Sequence, residues 1–254
     1  MEIILTEAWR DLTFMSALSE DRADRLVAFL AEVGQGVVVD LGCGWAELLL
    51  RVLAAAPAMT GIGVDSDADV IRRGRQLAAD RGLSDRVRLE IADAAGAAPD
   101  CADLVIAVGA THVWAPPQSP GDSLHYGDAL TRIRALLPRG GRAVFGEGIW
   151  SSTPTPSAIA ALGGREDEMV SLGALAEIAA RVGFAPMAVH EATMEEWDEF
   201  ESGYSACYTR WLADHDAGHS DAAEVRARAR SQRERYFDGY RAVLGLGYLE
   251  LIAI

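Results

Sequence analysis

An apolar run that breaks at two closely spaced glycines limits most strongly how this chain can fold. Residues 37–45 read VVVDLGCGW, which is typical of a buried strand, a glycine turn and a helix that begins near Ala46. Gly42 and Gly44 allow a backbone to approach a ligand where a Cβ would intrude. Asp65, 20 residues beyond this segment, ends a second apolar run, GIGVD. In open α/β sheets an acid at that position reaches ribose hydroxyls, so the two features together predict a nucleoside-containing ligand.

Short β-branched runs alternate with helical segments over residues 37–147. This alternation indicates a parallel sheet with helices on both faces. The predicted strands here are Val37–Leu41, Thr60–Asp65, Arg86–Ala92, Asp103–Val108 and Arg142–Glu147, and the predicted helices are Ala46–Ala55, Ala68–Arg81 and Asp128–Leu137. The segment Ala94–Ala102 lacks the periodicity that a helix would show.

Further helices flank this core, and one of them has a clear start signal. Thr193 and Glu196 form a capping box that begins a helix running to about His215. The other predicted elements are an amphipathic helix at Asp21–Val33, a loop at Ser151–Ser157, a helix at Ser171–Val182, a strand at Ala185–Ala192, a helix at Asp221–Val243 and a strand at Tyr248–Ile252, which we expect antiparallel at the sheet edge. We therefore predict a single α/β domain over residues 1–254, doubly wound around a mostly parallel seven-stranded sheet with an antiparallel C-terminal strand. A helical cap is expected from about residues 1–33 and 193–243.

Charge and composition exclude several classes of function. The 254 residues carry a net charge of -15, and phosphate binding needs a basic surface, so we expect no nucleic-acid partner. No basic-then-apolar signal pattern follows Met1, and no uncharged apolar run approaches the roughly 18 residues of a membrane span. The cysteines and histidines show neither metal-ligand spacing nor a disulfide framework. We expect a cytoplasmic chain with no membrane partner and no metal.

The glycine turn departs from the dinucleotide fingerprint. That fingerprint is G-x-G-x-x-G, and Glu47 stands here at the position of the last glycine. A carboxylate at a helix N-terminus would lie where a pyrophosphate is held, so Glu47 argues against NAD or FAD. Asp40 adds negative charge beside the turn, which favours a positively charged or zwitterionic cofactor.

Several motifs in the first part of the chain match one family together. They are Asp40-Leu41-Gly42-Cys43-Gly44, Asp65 after the second strand, Asp93 after the third, the fourth strand Leu104–Gly109, and Leu137-Pro138-Arg139-Gly140-Gly141 before the fifth. With these residues the chain resembles the class I S-adenosylmethionine-dependent methyltransferases over about residues 20–150. The resemblance implies the Rossmann-like methyltransferase fold and S-adenosyl-L-methionine as the cofactor. The family often has a third glycine where this chain has Ala46, and we expect only a modest local change there.

The resemblance also implies roles for individual residues. Gly42 and Gly44 would lie against the methionine part of the cofactor, Asp65 would accept from the ribose hydroxyls, and Asp93 would accept from the adenine amino group. The backbone near Val108 would help to hold the methionine amine. The full predicted cofactor set is Asp40, Gly42, Gly44, Asp65, Ser66, Asp93, Ala94 and Val108. Two simpler interpretations stay open: Asp65 as a cap for the helix near Ala68, and Asp40 as an anchor for the turn amides.

The substrate is expected at the end of the fourth strand. Methyl transfer depends mainly on orientation, and a base is needed only if the nucleophile must lose a proton. His112 is the candidate base or orienting group, because its ordinary pKa suits proton transfer near neutral pH. Glu147, between two glycines, would either hold a cationic substrate or bond loop amides. The predicted substrate contacts are Trp114, Tyr126, Trp150, Tyr204 and Tyr208.

Tyr204 and Tyr208 belong to a row of aromatic residues with helical spacing. The row is Trp197, Phe200, Tyr204, Tyr208 and Trp211, along one face of the capping-box helix. Packing of the cap onto the domain is the simpler explanation for most of this row. In the functional interpretation one or two of the rings face an amine or aromatic substrate.

These observations predict a methyltransferase that acts on N or O of a small molecule. One alternative is a protein that binds S-adenosylmethionine for a regulatory purpose or for chemistry other than methyl transfer. A dinucleotide oxidoreductase is a further alternative, disfavoured by Glu47. Fold-level analogy does not identify the acceptor, and the oligomeric state is not predicted.

Overall fold

The structure is a computed structural model that describes residues 3, 5–97, 101–113 and 124–254. The strands are β1 (Gln35–Leu41), β2 (Ala58–Asp65), β3 (Val87–Ile91), β4 (Leu104–Val108), β5 (Arg142–Trp150), β6 (Phe184–Glu191) and β7 (Leu244–Ala253). The helices are α1 (Glu20–Ala31), α2 (Glu47–Ala55), α3 (Ala68–Asp80), α4 (Ala94–Ala97), α5 (Tyr126–Leu136), α6 (Pro156–Leu162), α7 (Leu172–Arg181), α8 (Met194–Asp214) and α9 (Ala222–Glu234). Among the described residues, no helix has the length and apolar character needed to cross a bilayer.

The strands form one seven-stranded sheet in the order β3-β2-β1-β4-β5-β7-β6. The first five of these are parallel, and β7 runs antiparallel to both β5 and β6. The predicted fold class is therefore confirmed. The predicted position of the last strand was wrong in one respect, because β7 lies between β5 and β6 and not at the sheet edge.

Burial explains why β7 takes the inner position. Five consecutive residues, Gly245–Leu249, are buried, so both faces of the strand are covered, as for an inner strand of a sheet with helices on both sides. β6 is exposed over much of its length, and it also contains Pro186, which cannot donate a ladder hydrogen bond. β6 therefore suits the edge.

Two apolar clusters cover the faces of the sheet. On one face Leu26 of α1 and Leu49 of α2 pack with Val38 and Tyr248. α1 contacts α2 and β5, so this helix packs onto the sheet, whereas the 3-10 turn Ala8–Arg10 contacts α8. The other face is covered by α5 and α7, with buried residues Leu130, Ile133, Leu175 and Ala179. Because helices cover both faces of the sheet, the carboxyl ends of the strands stay open.

The C-terminal helices differ from the prediction at one end. The expected helix Asp221–Val243 is α-helical only to Glu234, and a π-helical turn follows at Arg235–Tyr240. The wider turn buries Tyr236 and Tyr240, whose hydroxyls donate to Asp198 and Glu201 at 2.6 Å each. These tertiary contacts offset the loss of regular helix geometry. The loop expected at Ser151–Ser157 ends at α6, which begins with Pro156 and is capped by Thr155.

The predicted capping box is present and takes part in a buried ion pair. Thr193 Oγ1 accepts from the Glu196 amide at 3.2 Å, and Glu196 Oε2 accepts from the Thr193 amide at 2.6 Å. Arg22 of α1 donates to both oxygens of Glu196 at 2.8 Å. Burial opposes the charge on Glu196, but hydrogen bonds from Arg22, Thr193 and Ser19 outweigh that cost and lower the pKa of the carboxyl to about 2. This ion pair joins α8 to α1.

Candidate functional site

A cavity of about 630 Å³ opens at the carboxyl ends of β1, β2, β3 and β4. Its walls include the whole predicted cofactor set, Asp40, Gly42, Gly44, Asp65, Ser66, Asp93, Ala94 and Val108, together with His112. The residues are distant in sequence, and the parallel strand order brings them to one edge. This is where ligands bind in open α/β sheets.

The glycine turn is held in place by the end of β2. The amides of Gly42 and Cys43 both donate to the Val64 carbonyl, at 2.9 and 3.0 Å, and the Gly44 amide donates to Asp65 Oδ2 at 2.8 Å. Gly42 and Gly44 have φ values of +73° and +53°, a region that favours glycine. A Cβ on Gly44 would meet no atom of the described chain within 4 Å, so this part of the turn is open to a ligand.

Ala46 adopts the backbone conformation that a third glycine would provide. It is the N-cap of α2, with φ 60° and ψ 24° in the left-handed region, and it is fully buried. A Cβ in this conformation costs about 1–2 kcal/mol. The departure from the family pattern therefore leaves the turn geometry in place and adds local backbone strain.

Asp40 is a buried acid that has no hydrogen-bond or ion-pair partner among the described residues. It is 4% exposed and lines the cavity, and the described part of the chain offers its side chain no hydrogen bond. Burial raises the pKa of Asp40 to about 8, and the nearby Asp65 charge adds to the effect. The turn amides bond to Val64 and Asp65 instead, so the interpretation of Asp40 as their anchor does not match the contacts.

Asp65 and Asp67 have different roles at the end of β2: one holds the glycine turn and the other caps α3. Asp67 is the N-cap of α3, where it accepts from the amide of Asp69 at 2.7 Å and from that of Val70 at 3.4 Å. Asp65 accepts from the Gly44 amide and from the Asp67 amide, the latter at 3.0 Å. Asp65 thus ties the glycine turn to β2 and does not cap the helix.

Glu47 does not present a free negative charge to the cavity. It is 7% exposed, and its oxygens accept from Arg51 Nε at 2.8 Å and from Arg81 Nη2 at 2.7 Å. These two guanidinium groups neutralise it, so the electrostatic argument against a pyrophosphate was wrong. Arg51 lies four residues after Glu47, and this spacing on a helix favours an ion pair, so the sequence alone indicated this contact.

The two predicted catalytic residues occupy different environments. His112 lies in a 3-10 turn, Thr111–Val113, that follows β4, and it is exposed at the cavity wall. Glu147 is 8% exposed, and among the described residues it is not part of the wall. Its oxygens accept from the Thr111 amide at 3.0 Å and from the Gly148 amide at 2.9 Å. These contacts correspond to the second interpretation of Glu147, a carboxylate that bonds loop amides.

Two of the predicted substrate residues are part of the packed interior. Tyr126 is 3% exposed, and its hydroxyl donates to the Gly148 carbonyl at 2.6 Å. Trp150 is 7% exposed, and its Nε1 donates to the Glu166 carbonyl at 2.9 Å. The structure does not bring either residue to the wall of the cavity described above.

The aromatic row on α8 is also separate from this cavity. Tyr204 is 43% exposed and lies beside Phe200, with ring centroids 6.2 Å apart. Tyr208 packs against the Trp211 cluster between α8 and α9, which matches the packing interpretation. Trp114 lies outside the described residues.

Sequence reasoning missed the segment before α1. Phe14, Met15, Ser16 and Leu18 line the cavity. Thr13 accepts at its carbonyl from Trp45 Nε1 at 2.8 Å. The apolar character of Phe14 and Met15 in a stretch without helical periodicity was the available signal.

A second cavity, of about 480 Å³, lies between the segment before α1 and helix α8. Phe14, Ser16 and Leu18 line both cavities, so these side chains form a shared wall. The second cavity is also lined by Leu12, Phe200, Gly203 and Ala206, and by the acids Asp11, Glu20, Glu196 and Glu199.

Comparison with known proteins identifies the family. Residues 38–141 match the model of a family described as a methyltransferase domain. YjhP of Escherichia coli strain K12 is 30% identical to this chain over 221 residues, which are 85% of this chain and 84% of YjhP. The chain belongs to the S-adenosylmethionine-dependent methyltransferases.

Solved structures agree with this family in fold. The S-adenosylmethionine-dependent methyltransferases of Geobacter sulfurreducens and Thiobacillus denitrificans, each in complex with S-adenosyl-L-homocysteine, are similar to this chain with TM-scores of 0.82 and 0.81. They are 24% and 25% identical to it, and each comparison covers 97% of this chain and 96% of the other. S-adenosyl-L-methionine is the cofactor of this protein, and the oxidoreductase hypothesis is set aside. Asp40, which has no partner in the part of the chain that the structure describes, and the open turn at Gly44 fit a cofactor with cationic groups and a ribose.

We expect Ala46→Gly to stabilise the protein. Glycine adopts the left-handed conformation without a Cβ clash, so the free energy of unfolding should rise by about 1 kcal/mol. Ala23→Gly, at a fully buried position inside α1, is the matched control and should lower the free energy of unfolding by about 1–2 kcal/mol, because it removes a buried methyl group and relieves no left-handed conformation. Urea unfolding of both variants measures the effect, and a loss of stability in Ala46→Gly would contradict the strain.

We expect Asp40→Asn to remove a pH-dependent loss of stability. Because the pKa of Asp40 is about 8 in the folded chain and about 3.9 in the unfolded chain, the folded wild type loses stability as the pH rises between these values. The free energy of unfolding of the variant, minus that of the wild type, should grow by about 3 kcal/mol from pH 5 to pH 8. Urea unfolding without cofactor at several pH values measures it. A difference that stays constant with pH would show that only the change of side-chain shape matters.

Proposed function

We propose that this enzyme moves a methyl group from S-adenosyl-L-methionine to an N or O atom of a small molecule. The pair of cavities that share Phe14, Ser16 and Leu18 is the observation that carries the proposal. One cavity contains the predicted cofactor residues, and the other adjoins it on the side of α8. Their volumes, about 630 and 480 Å³, are in the range of small-molecule sites.

The first cavity holds the cofactor through its acids and the glycine turn. Asp65 already accepts one amide at each oxygen, and each oxygen has a second lone pair for a ribose hydroxyl. Asp93 accepts from the adenine amino group. Asp40 faces the positively charged part of the cofactor, where a cation favours the ionised carboxylate and offsets the cost of burial.

The cofactor supplies an electrophilic methyl group on a positively charged sulfur. The leaving thioether needs no proton, so the protein contributes mainly by orienting the acceptor, which is worth about 7–11 kcal/mol at best. His112 accepts the proton of an O–H or N–H acceptor, because it is exposed at the cavity wall and neutral imidazole is a competent base near pH 7.

The second cavity receives the acceptor. Apolar side chains, with serine and threonine hydroxyls between them, form much of its wall. Three of its acids are paired with arginines, in Asp11–Arg210, Glu20–Arg51 and Glu196–Arg22. The fourth acid, Glu199, has no ion pair among the described residues, so the wall suits a small molecule that carries a polar or amine group beside an apolar part. The net charge of -15 supports a small-molecule substrate over a nucleic acid, because repulsion opposes a polyanion.

We expect Asp65→Ala to weaken the binding of S-adenosyl-L-methionine by about 1.5–3 kcal/mol, the usual contribution of hydrogen bonds to a charged group. Isothermal titration calorimetry measures the affinity. Asp67→Ala is the matched control, because it removes the α3 N-cap and should lower stability by about 1 kcal/mol without changing the affinity. Equal affinities for wild type and Asp65→Ala would refute the ribose assignment.

Methyl transfer itself is tested with cofactor that carries a labelled methyl group. The enzyme is incubated with a fractionated cell extract, and label is followed into small molecules, protein and nucleic acid. We expect label in the small-molecule fraction, with an equal amount of S-adenosyl-L-homocysteine formed, and less of both with Asp65→Ala when the cofactor is below saturation. Label confined to protein or nucleic acid would contradict the proposed substrate class.

A further inference from the structure

Glu147 is a buried carboxylate whose two oxygens are both used by backbone amides. Oε2 accepts from Thr111 at 3.0 Å and Oε1 accepts from Gly148 at 2.9 Å, and the residue is 8% exposed. Hydrogen bonds from amides to a carboxylate are stronger than those to a neutral acceptor. Glu147 therefore stabilises the backbone conformation at Thr111 and Gly148.

One of these bonds extends the pairing of β4 and β5 beyond the end of the sheet ladder. The last backbone bond there runs from the Gly109 amide to the Gly146 carbonyl at 2.7 Å. Thr111 follows two residues later and begins the 3-10 turn that contains His112. The Thr111 side chain is 1% exposed, and its hydroxyl finds no hydrogen-bond partner in the described part of the chain. Among the described residues, Thr111 is thus held by a hydrogen bond from its amide to Glu147, and its side chain adds no hydrogen bond.

Gly148, the residue next to Glu147, binds the start of α5. Tyr126 donates its hydroxyl to the Gly148 carbonyl at 2.6 Å, and Tyr126 is the first residue of α5. Glu147 and Gly148 thus bind the chain at Thr111, shortly after β4, and at Tyr126, the first residue of α5. The carboxyl end of β5 therefore holds the His112 turn through the hydrogen bond from Thr111 to Glu147.

We propose that Glu147 is a positioning residue for methyl transfer, which fixes the turn that presents His112 at the cavity wall. The proposal rests on the proposed function, because it assigns Glu147 an effect through His112. Among the described residues, Glu147 is not part of the cavity wall. Its carboxylate restricts where the imidazole lies, and small errors in the placement of reacting groups are costly in rate.

Amide hydrogen exchange tests the positioning without any substrate. Glu147→Gln keeps one acceptor oxygen and places an NH2 group, which cannot accept, at the other, and Glu147→Ala removes both acceptors. We expect exchange at the Thr111 amide to become about tenfold faster in Glu147→Ala, the factor for loss of one such bond, with a smaller increase in Glu147→Gln.

Glu201→Gln is the matched control for this experiment. Glu201 is also a buried carboxylate, 7% exposed, and it accepts from Tyr240 and Gln232 away from the His112 turn. Its substitution should lower overall stability and leave exchange at Thr111 unchanged relative to the rest of the chain. Unchanged Thr111 exchange in both Glu147 variants would overturn the proposal.

A double-mutant cycle tests whether the effect runs through His112. With the acceptor found by the labelling experiment, Glu147→Ala should lower kcat about tenfold in the wild-type background and less than about twofold in the His112→Ala background. Its affinity for S-adenosyl-L-homocysteine should stay within about twofold of wild type, since the cofactor residues are untouched. An equal loss of kcat in both backgrounds would overturn the proposal. If the labelling experiment yields no acceptor, the proposed function fails and the exchange experiment alone decides whether Glu147 fixes the turn.

Discussion

The hydrogen bonds between the glycine turn and the end of β2 are the constraint on which the site depends. Val64 accepts two turn amides at its carbonyl and Asp65 accepts a third at its carboxylate, so the start of α2 is fixed relative to two strands at once. This arrangement places Gly44 open to the cavity and Asp40 at its wall. It also explains Ala46, whose strained conformation is stabilised by these bonds and by burial in the core.

Four buried acids near the site differ in whether the described chain gives them a hydrogen-bond or ion-pair partner. Glu47 and Glu196 are paired with arginines, and Glu147 is satisfied by amides. Asp40 has no such partner in the described chain, and its raised pKa reflects that cost. A buried polar group without a partner needs an explanation, and for Asp40 we propose that the positively charged part of the cofactor is that partner. The other three acids support the elements around the site.

The side of the cavity opposite the sheet depends on contacts between distant parts of the chain. Ser16 bonds to the Tyr248 hydroxyl at 2.8 Å, and that hydroxyl donates to the Ala17 carbonyl at 3.0 Å. Arg22 joins the same region to Glu196 on α8. The segment that separates the two cavities is thus attached to both β7 and α8, and the shape of the second cavity follows from these attachments.

The sequence by itself determined the strands, the capping box, the glycine turn and the residues that line the first cavity, because each depends on local periodicity or on a motif that ends a predicted strand. Parallel strands then bring those residues to one edge without further information. Only the tertiary structure decided the inner position of β7, the neutralisation of Glu47 by Arg81, the burial of Tyr126 and Trp150, and the Thr111 amide as a partner of Glu147. Each of these depends on residues far apart in the chain, so the sequence pattern showed the type of side chain and left its partner open.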